Sequence, residues 1–502
     1  MNRKERRSAG SSNSAQDLFA AAIEKHQAGK LVEAVALYRK ALKLAPDESG
    51  LHYNLGLAQM QLGKPEAAAD CWREADRLRP NTPHILTNLG IALSRLGRWE
   101  DAAAALTQAG AIPEALSNLS AVLAQLGRAE EAEAQARAAL ALRPGYGEAL
   151  NNLGIALYHQ RKIDAAIATY RQAIADAPDF AQAHFNLSLA LLTKGDWEDG
   201  WREREWRLKG GVGNLGSRQH SRPEWDGSPL AGKTILLYGE QGYGDSLQFV
   251  RYALLMAAQG GKVVLEVPKP LVRLFSGLPG IDKVVATGDK PPPHDLRFAL
   301  MSLPRLFPTI PACPPLKVEP KDFVLPPGRK IGLVWAGDAR AHDPLAQATD
   351  RRRSLDPALL APLLELPGIV WVSLQKRTPP HPPAPSPAYG RGGEHALPLL
   401  PLPQAGEGRG EGNFIDLMGP MRDFADTAAL VAQLDLVISV DTAVAHLAAS
   451  LGKPVWILSR FDGCWRWGQD GETTPWYPTA RLFRQTSPGD WAEVIGRVRA
   501  AL

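Results

Sequence analysis

Four sets of residues in this sequence have the types and spacing to do chemistry or bind a ligand. Asp245 closes the run Tyr238-Gly-Glu-Gln-Gly-Tyr-Gly-Asp-Ser246, in which Gly239, Gly242 and Gly244 interrupt the apolar stretch Ile235–Tyr238. Glycines there permit backbone angles closed to other residues. A carboxylate in that loop can accept a proton from a hydroxyl, or it can simply cap the helix that Asp245 or Ser246 would begin. Asp350-Arg-Arg-Arg-Ser354 groups guanidinium side chains suited to bidentate contact with phosphate, or it is a solvated charge run. Asp441, Thr442 and Ala443 follow the apolar run Leu436–Val440, with His446 one helical turn further on. An Asn recurs at 54, 88, 118, 152 and 186, each followed by Leu and then Gly or Ser.

The elements that must position these residues follow from pattern. Ile235–Tyr238, Val263–Val267 and Lys283–Ala286 are short buried-strand runs, with helical stretches at 246–258 and Leu271–Phe275 between them. The segment from Asp295 adds a fourth strand or an edge. After the Pro-rich stretch 308–327, Lys330–Gly337, Ile369–Leu374, Leu436–Val440 and Gly452–Leu458 alternate with helices near Pro357, at Phe424–Gln433 and from His446 to Leu451. Such alternation predicts parallel sheets. Asp245 and Asp441 then stand at carboxyl ends of strands, where open α/β sheets hold ligands.

The Asn-Leu-(Gly/Ser) marks are spaced by 34, 30, 34 and 34 residues, and Gly29, Gly63 and Gly97 keep the same interval. Pro46 pairs with Pro80, and Pro144 with Pro178, at that period too. A 34-residue period of this kind resembles the tetratricopeptide repeat, a helix–turn–helix unit that stacks into a superhelix with a concave groove. About six units are expected over 15–208, the third shortened by four residues and the first carrying Ala20 in place of Asn. The last ends in Asp196-Trp-Glu-Asp-Gly-Trp-Arg-Glu-Arg-Glu-Trp-Arg207. At about 100° per residue, Trp197 and Trp201 share one face and Trp206 lies opposite. That helix is expected to pack on the repeats with one side and on the next domain with the other, so that a charge at Trp206 would loosen the domains.

Totals narrow the classes. A chain of 502 residues exceeds a single core, and 45% hydrophobic with 22% charged residues is ordinary for a globular protein. A net charge of +4 is too small to argue for nucleic acid. Arg3, Lys4, Arg6 and Arg7 form a basic tip without the apolar stretch of a signal peptide, and no apolar run reaches the roughly 20 residues of a membrane span. Cys71, Cys313 and Cys464 are odd in number and far apart, which suits a reducing compartment; the expected location is the cytoplasm. Gly227–Thr234 matches the Walker A pattern, but it leads into a strand instead of opening a helix, so it is not read as a phosphate loop.

The run Ser439-Val-Asp-Thr-Ala-Val-Ala-His-Leu-Ala448, followed by Gly452-Lys-Pro-Val-Trp456, resembles the nucleotide-sugar motif of the heptosyltransferase superfamily (glycosyltransferase family 9-like). The Gly242-Tyr-Gly-Asp-Ser246 loop resembles its acceptor-side motif, and the likeness spans 231–376 and 413–490. The closest resemblance is to bacterial proteins that join tetratricopeptide repeats to this domain, and O-linked N-acetylglucosamine transferases look similar in their asparagine-bearing repeats. The resemblance implies an α-solenoid followed by a GT-B fold of two Rossmann-like domains. It also implies inverting, metal-independent transfer of a sugar from a nucleotide-diphosphate donor; the absence of an Asp-x-Asp pair agrees on the metal. No cofactor is expected beyond that co-substrate. By the same resemblance Asp245 is the base. Thr442 and the backbone amides at the helix start meet the diphosphate with Asp441 beside the donor, and Arg353 with Ser354 lies near the phosphates. His446 touches phosphate or orients Thr442. The family's usual glycine is replaced by Ala443, which narrows backbone approach. In the repeats, Asn54, Asn88, Asn118, Asn152 and Asn186 would face the groove and hold a protein or peptide acceptor.

The expected domains are a disordered basic tip (1–14), repeats (15–208), a linker (209–230), a first Rossmann-like domain (231–325) and a second (326–502). The Pro-, Gly- and Arg-rich stretch 377–412 reads as a disordered insertion. A scaffold with an inactive transferase domain is the rival function. A lipopolysaccharide sugar transferase is a third, and it lacks an evident basic or amphipathic membrane-facing surface.

Overall fold

A computed structural model describes residues 3–209, 222–338, 340, 343–376 and 414–502, with side chains from Ser14 onward. The chain divides into two compact units: Met1–Pro178 with Ala341–Ala348, and Asp179–Arg340 with Thr349–Leu502. The expected insertion at 377–412 and most of the linker lie outside the described residues.

The first unit is a run of antiparallel helix pairs, from Arg3–Gln27 with Leu31–Leu44 to Gly147–His159 with Ile163–Asp176. Steric need explains the repeated glycine. A Cβ at Gly56, Gly90 or Gly154 would lie 2.6, 2.5 or 2.4 Å from Trp72, Leu106 or Tyr170 on the paired helix. Ser120 takes the equivalent place in the unit between those of Gly90 and Gly154 and donates its hydroxyl to Ala132 O at 2.7 Å. The shortened third unit takes its deletion in the second helix, Trp99–Gln108, which has 10 residues against 14 in Pro65–Leu78. Residues 3–14 are helical, where a disordered tip was expected. No proline interrupts them, and extending an already formed helix costs little. Pro344 also belongs to this unit, with its Cβ 3.0 Å from where a Gly97 Cβ would stand.

The second unit holds the last helix pair, Ala181–Lys194 with Trp197–Arg204, and two α/β domains. The first sheet contains β1 (Thr234–Tyr238), β2 (Lys262–Val267), β3 (Lys283–Ala286) and β4 (Leu296–Ala299), all parallel, in the order β3-β2-β1-β4. The second contains β5 (Arg329–Val334), β6 (Ile369–Ser373), β7 (Phe414–Asp416), β8 (Leu436–Val440), β9 (Val455–Ser459) and β10 (Ala480–Arg484). It too is parallel, in the order β10-β9-β8-β5-β6-β7. Their near-continuous apolar composition fits strands covered on both faces. In each sheet the strand order reverses beside the first strand, between β1 and β4 and between β5 and β8. The loops after those strands diverge there and open a crevice at the carboxyl ends.

Several boundaries move. The first domain begins before 231: Trp225 is buried against Phe298 and Phe307, and its N–H donates to Arg297 O at 2.9 Å. The Walker-like stretch does run straight into β1. The expected 246–258 helix starts at Tyr243 and is interrupted by a 3₁₀ turn, Val250–Tyr252, before Ala253–Ala258. Arg351–Arg353 form the last turn of a helix, Pro344–Arg353, that the sequence pattern did not suggest. The last repeat's second helix joins the core of both α/β domains: Trp201 meets Phe249 of the first and Trp465 and Trp476 of the second, with ring centroids 5.7, 5.3 and 6.5 Å away. Trp206, on the other side, stacks on His184 of the preceding helix at 3.9 Å. Among the described residues, no helix is long and apolar enough to cross a membrane.

Candidate active site

Gly242 precedes the Tyr243–Phe249 helix, and Asp245 sits in that helix's first turn. The carboxylate reaches back, one oxygen accepting the Gly242 N–H at 3.0 Å. This satisfies an orphan donor at the helix start, so Asp245 does cap its helix. Its other oxygen is bonded to Arg466, from the 3₁₀ turn Trp465–Trp467 of the second domain. Gly239 follows β1, its N–H held by Glu266 O at 2.8 Å, and a side chain there would meet Ser246 Oγ at 3.1 Å. Gly244 is a point of close approach between the domains. A Cβ on it would be 2.9 Å from His446 Cδ2 and 3.8 Å from Ala443 Cα.

Thr442 stands at the N-cap of the Ala443–Ser450 helix with extended backbone, and its hydroxyl lies 3.0 Å from Ser439 Oγ. His446 is buried. Its Nδ1 pairs with Tyr477 OH at 2.9 Å, its ring stacks on Trp467 at 5.2 Å, and its Nε2 is 4.0 Å from Asp441 Oδ1. Burial pushes the imidazole down to about 3, and the nearby Arg466 charge pushes the same way. It is therefore neutral near pH 7 and no ion pair with Asp441 forms there.

Arg353 ties the two switch-point loops together. It donates to Asp441 O at 3.1 Å and to Asp350 Oδ1 at 2.8 Å. Gly337, after β5, is obligatory for this, since a Cβ would fall 2.0 Å from the Arg353 guanidinium. Ser354 Oγ accepts the Gly337 N–H at 3.1 Å. Asp441, Thr442, Ala443, His446, Arg353 and Ser354 thus gather at the carboxyl end of the second sheet, facing the Asp245 helix.

The asparagines are a different matter. All five lie on the first helix of their units, partly or fully buried. Asn54 and Asn118 donate to the carbonyls of Gly50 and Glu114 in their own helices, at 2.8 and 2.7 Å. Asn88 donates to Tyr53 OH at 3.1 Å, and Asn152 to Ser117 O at 2.9 Å, across to the preceding unit. Asn186 accepts from Gln182 at 3.3 Å. Each of the first four thus commits its amide nitrogen to at least one bond inside the repeats.

Sequence pattern missed several charged residues. Arg466 donates to Gln248 Oε1 at 2.5 Å and to Cys464 Sγ at 3.1 Å, and lies over the Trp465 ring at 4.5 Å. Arg204, on the last repeat helix, is 3% exposed, with its Nε and Nη1 left without a hydrogen-bond acceptor. Burial, then the Arg207 and Arg466 charges, push its guanidinium down to about 9. Arg207 is also buried, held by Glu240 after β1 at 3.0 Å and by Ser302 after β4 at 2.7 Å. The one local hint was an arginine between two tryptophans at 465–467.

Comparison with known proteins places the repeats and the second domain. Models of the tetratricopeptide repeat match 24–63, 53–115, 87–147, 118–179 and 151–200. The model of glycosyltransferase family 9 (heptosyltransferase) matches 407–461, which includes Asp441, Thr442, Ala443 and His446 and leaves out Asp245 and Arg353. Protein FlbA of Caulobacter vibrioides is 29% identical over 347 residues, covering 62% of this chain and 53% of that protein, so the chain spans about half the length of that relative. Solved structures similar to part of the chain include YrrB, a TPR protein described as having an unusual peptide-binding site (25% identity, TM-score 0.30, 33% of this chain and 88% of that one). Another is PilF of Pseudomonas aeruginosa (19%, TM-score 0.34, 39% and 90%). The chain joins an N-terminal run of tetratricopeptide repeats to a C-terminal α/β region that matches glycosyltransferase family 9.

Proposed function

We propose that this protein is a glycosyltransferase that moves a sugar from a nucleotide-diphosphate donor to a protein acceptor recruited by the repeats. The observation that carries the reading is the facing of Asp245 and the Asp441–His446 segment, with Gly244 close to His446 and Ala443. In the inverting step, Asp245 takes the proton of the acceptor hydroxyl as its oxygen bonds to C1 of the sugar. The C1–phosphate oxygen bond breaks, and the nucleoside diphosphate leaves with the electron pair. The protein must stabilise the charge that the leaving group gains. The helix start at Thr442–Ala443 offers backbone amides for this, and Arg353 supplies positive charge beside Asp441. His446, neutral, orients the segment instead of neutralising phosphate. Transfer in this scheme needs no metal.

Thermal melting with ADP, GDP and UDP is the first test, because a ligand bound only by the folded state must raise its stability. Stabilisation by at least one, with transfer or hydrolysis from the matching nucleotide sugar, is expected. Asp245→Asn should abolish turnover and leave the melting curve cooperative; retained turnover would remove Asp245 from the role of base. A second reading, a repeat scaffold with an inactive transferase domain, draws on the engagement of both Asp245 oxygens and on Ala443. Binding without turnover across a nucleotide-sugar panel would favour it.

A further inference from the structure

Asp245 cannot act as a base in the arrangement described. One oxygen accepts the Gly242 N–H at 3.0 Å, and the other is bonded to Arg466. Both oxygens that could receive the proton of an alcohol are thus already engaged by donors. The pair is sheltered, with the Arg466 side chain 12% and the Asp245 side chain 18% exposed, so water screens it little. Something must compete for one partner before the other can work.

The competitor has to be an anion, because what must be replaced is the carboxylate on Arg466. That guanidinium is well presented for exchange. It rests on the Trp465 ring, and Gln248 and Cys464 hold its Nε and Nη1, so it need not swing free to change partner. Its neighbour Trp467 stacks on His446, whose Nε2 is 4.0 Å from Asp441, so the turn that carries Arg466 touches the donor-side segment as well as Asp245. Arg204 adds a second buried guanidinium near the same carboxylate, with two nitrogens lacking acceptors. The surroundings of Asp245 are therefore richer in cationic donors than one carboxylate can satisfy, and a diphosphate offers more acceptor oxygens in the geometry guanidinium prefers.

We propose that Arg466 is a diphosphate-binding residue that Asp245 holds until the donor takes it, so that donor binding itself frees the base. The proposal rests on the transferase reading above and adds an order: donor first, then proton abstraction from the acceptor. An acid that is uncovered only beside a bound donor is not spent on an acceptor bound alone.

The sign of one substitution tests this. Titration calorimetry with whichever of ADP, GDP and UDP stabilises the wild type is run on the full chain, on Asp245→Asn and on Arg466→Gln. Asp245→Asn removes the competing charge, so affinity for the nucleoside diphosphate should rise, by about tenfold. Arg466→Gln, which keeps a polar side chain beside Gln248, should lower it by about tenfold and leave binding of the corresponding nucleoside unchanged. If Arg466→Gln does not fold, the Asp245→Asn result decides alone. Unchanged or weaker diphosphate binding by folded Asp245→Asn overturns the exchange and leaves the transferase reading standing. Failure of every nucleoside diphosphate to bind the wild type overturns both.

Discussion

His446 is denied a positive charge by its surroundings. The ring is enclosed by Trp467 and Tyr477, and Gly244 closes the remaining side. Its folded-state value of about 3 lies below the ordinary 6.5, so the unfolded chain binds a proton that the folded protein does not. The sign follows: His446 costs nothing above pH 6.5, and the protein loses stability on this account as pH falls from there toward 3. The loss is on the order of a few kcal/mol. Chemical denaturation of wild type and His446→Gln at pH 7 and pH 4.5 should show a smaller acid loss in the variant. Equal losses would mean that the ring is reached by water. Arg353 poses the opposite case. The sequence reads the basic run 351–353 as phosphate-contacting or as a solvated charge run, and in the fold one of its three arginines reaches Asp441 O. Arg352 is turned instead toward Asp462, 3.7 Å away, and burial pushes its guanidinium down to about 10. Composition gave the three arginines one character, and packing separates them.

At the scale of elements, the last repeat's second helix does two jobs through its two faces. Trp197 and Trp201 lie on one side, within 5.3 and 6.5 Å of Trp476, while Trp206 covers His184 on the other. The helical period of the tryptophans forecast this division. It did not say which side carried more of the load, and the structure moves the critical residue from Trp206 to Trp201. Trp201 is 4% exposed and in contact with rings from both α/β domains. Trp201→Ala should cost about 3–5 kcal/mol, as for other buried tryptophans. Trp206→Ala, which removes one stacked ring and a cation–π partner for Lys209 at 3.8 Å, should cost about 1–2 kcal/mol. Urea denaturation of the two variants compares them directly, and equal losses would contradict the asymmetry. The repeat period and the central strands were readable because each depends on neighbours close in sequence: a glycine under the paired helix, a run of β-branched residues in a sheet. The Asp245–Arg466 bond joins residues 221 apart, and Arg251–Trp476 residues 225 apart, so no local pattern could announce either. β7 and β10, and the closing helix Trp491–Ala501, were missed because short edge strands and a mixed-polarity terminus carry little periodicity.

For the whole molecule, the division that matters falls inside the repeats. Sequence composition drew the border at the Gly/Ser-rich linker after residue 208, because a change in composition marks where the chain is exposed. Packing draws it between Pro178 and Asp179. The last helix pair supplies Trp201 to the core of the second unit, Arg207 to the buried Glu240, and Arg204 to the neighbourhood of Asp245. Removing it would leave Glu240, whose side chain is 4% exposed, without its main ionic partner, and an unpaired buried charge costs several kcal/mol. Two truncations separate the two borders. A chain beginning at Asp179 should fold with a cooperative melt and keep nucleoside diphosphate binding. Its Ala348, which is buried in the core of the repeats, would become exposed. A chain beginning at Lys209 should melt broadly or aggregate and bind no nucleotide. The α/β domains are also joined to each other by Arg273, paired with Asp423 at 2.6 Å and Asp426 at 2.5 Å, so they remain one body in the longer fragment. If the Lys209 fragment folds as well as the Asp179 fragment, the last helix pair is a spacer. If it folds but loses nucleotide affinity, the repeats contribute to the site through Arg204 and Arg207 without holding the domain together.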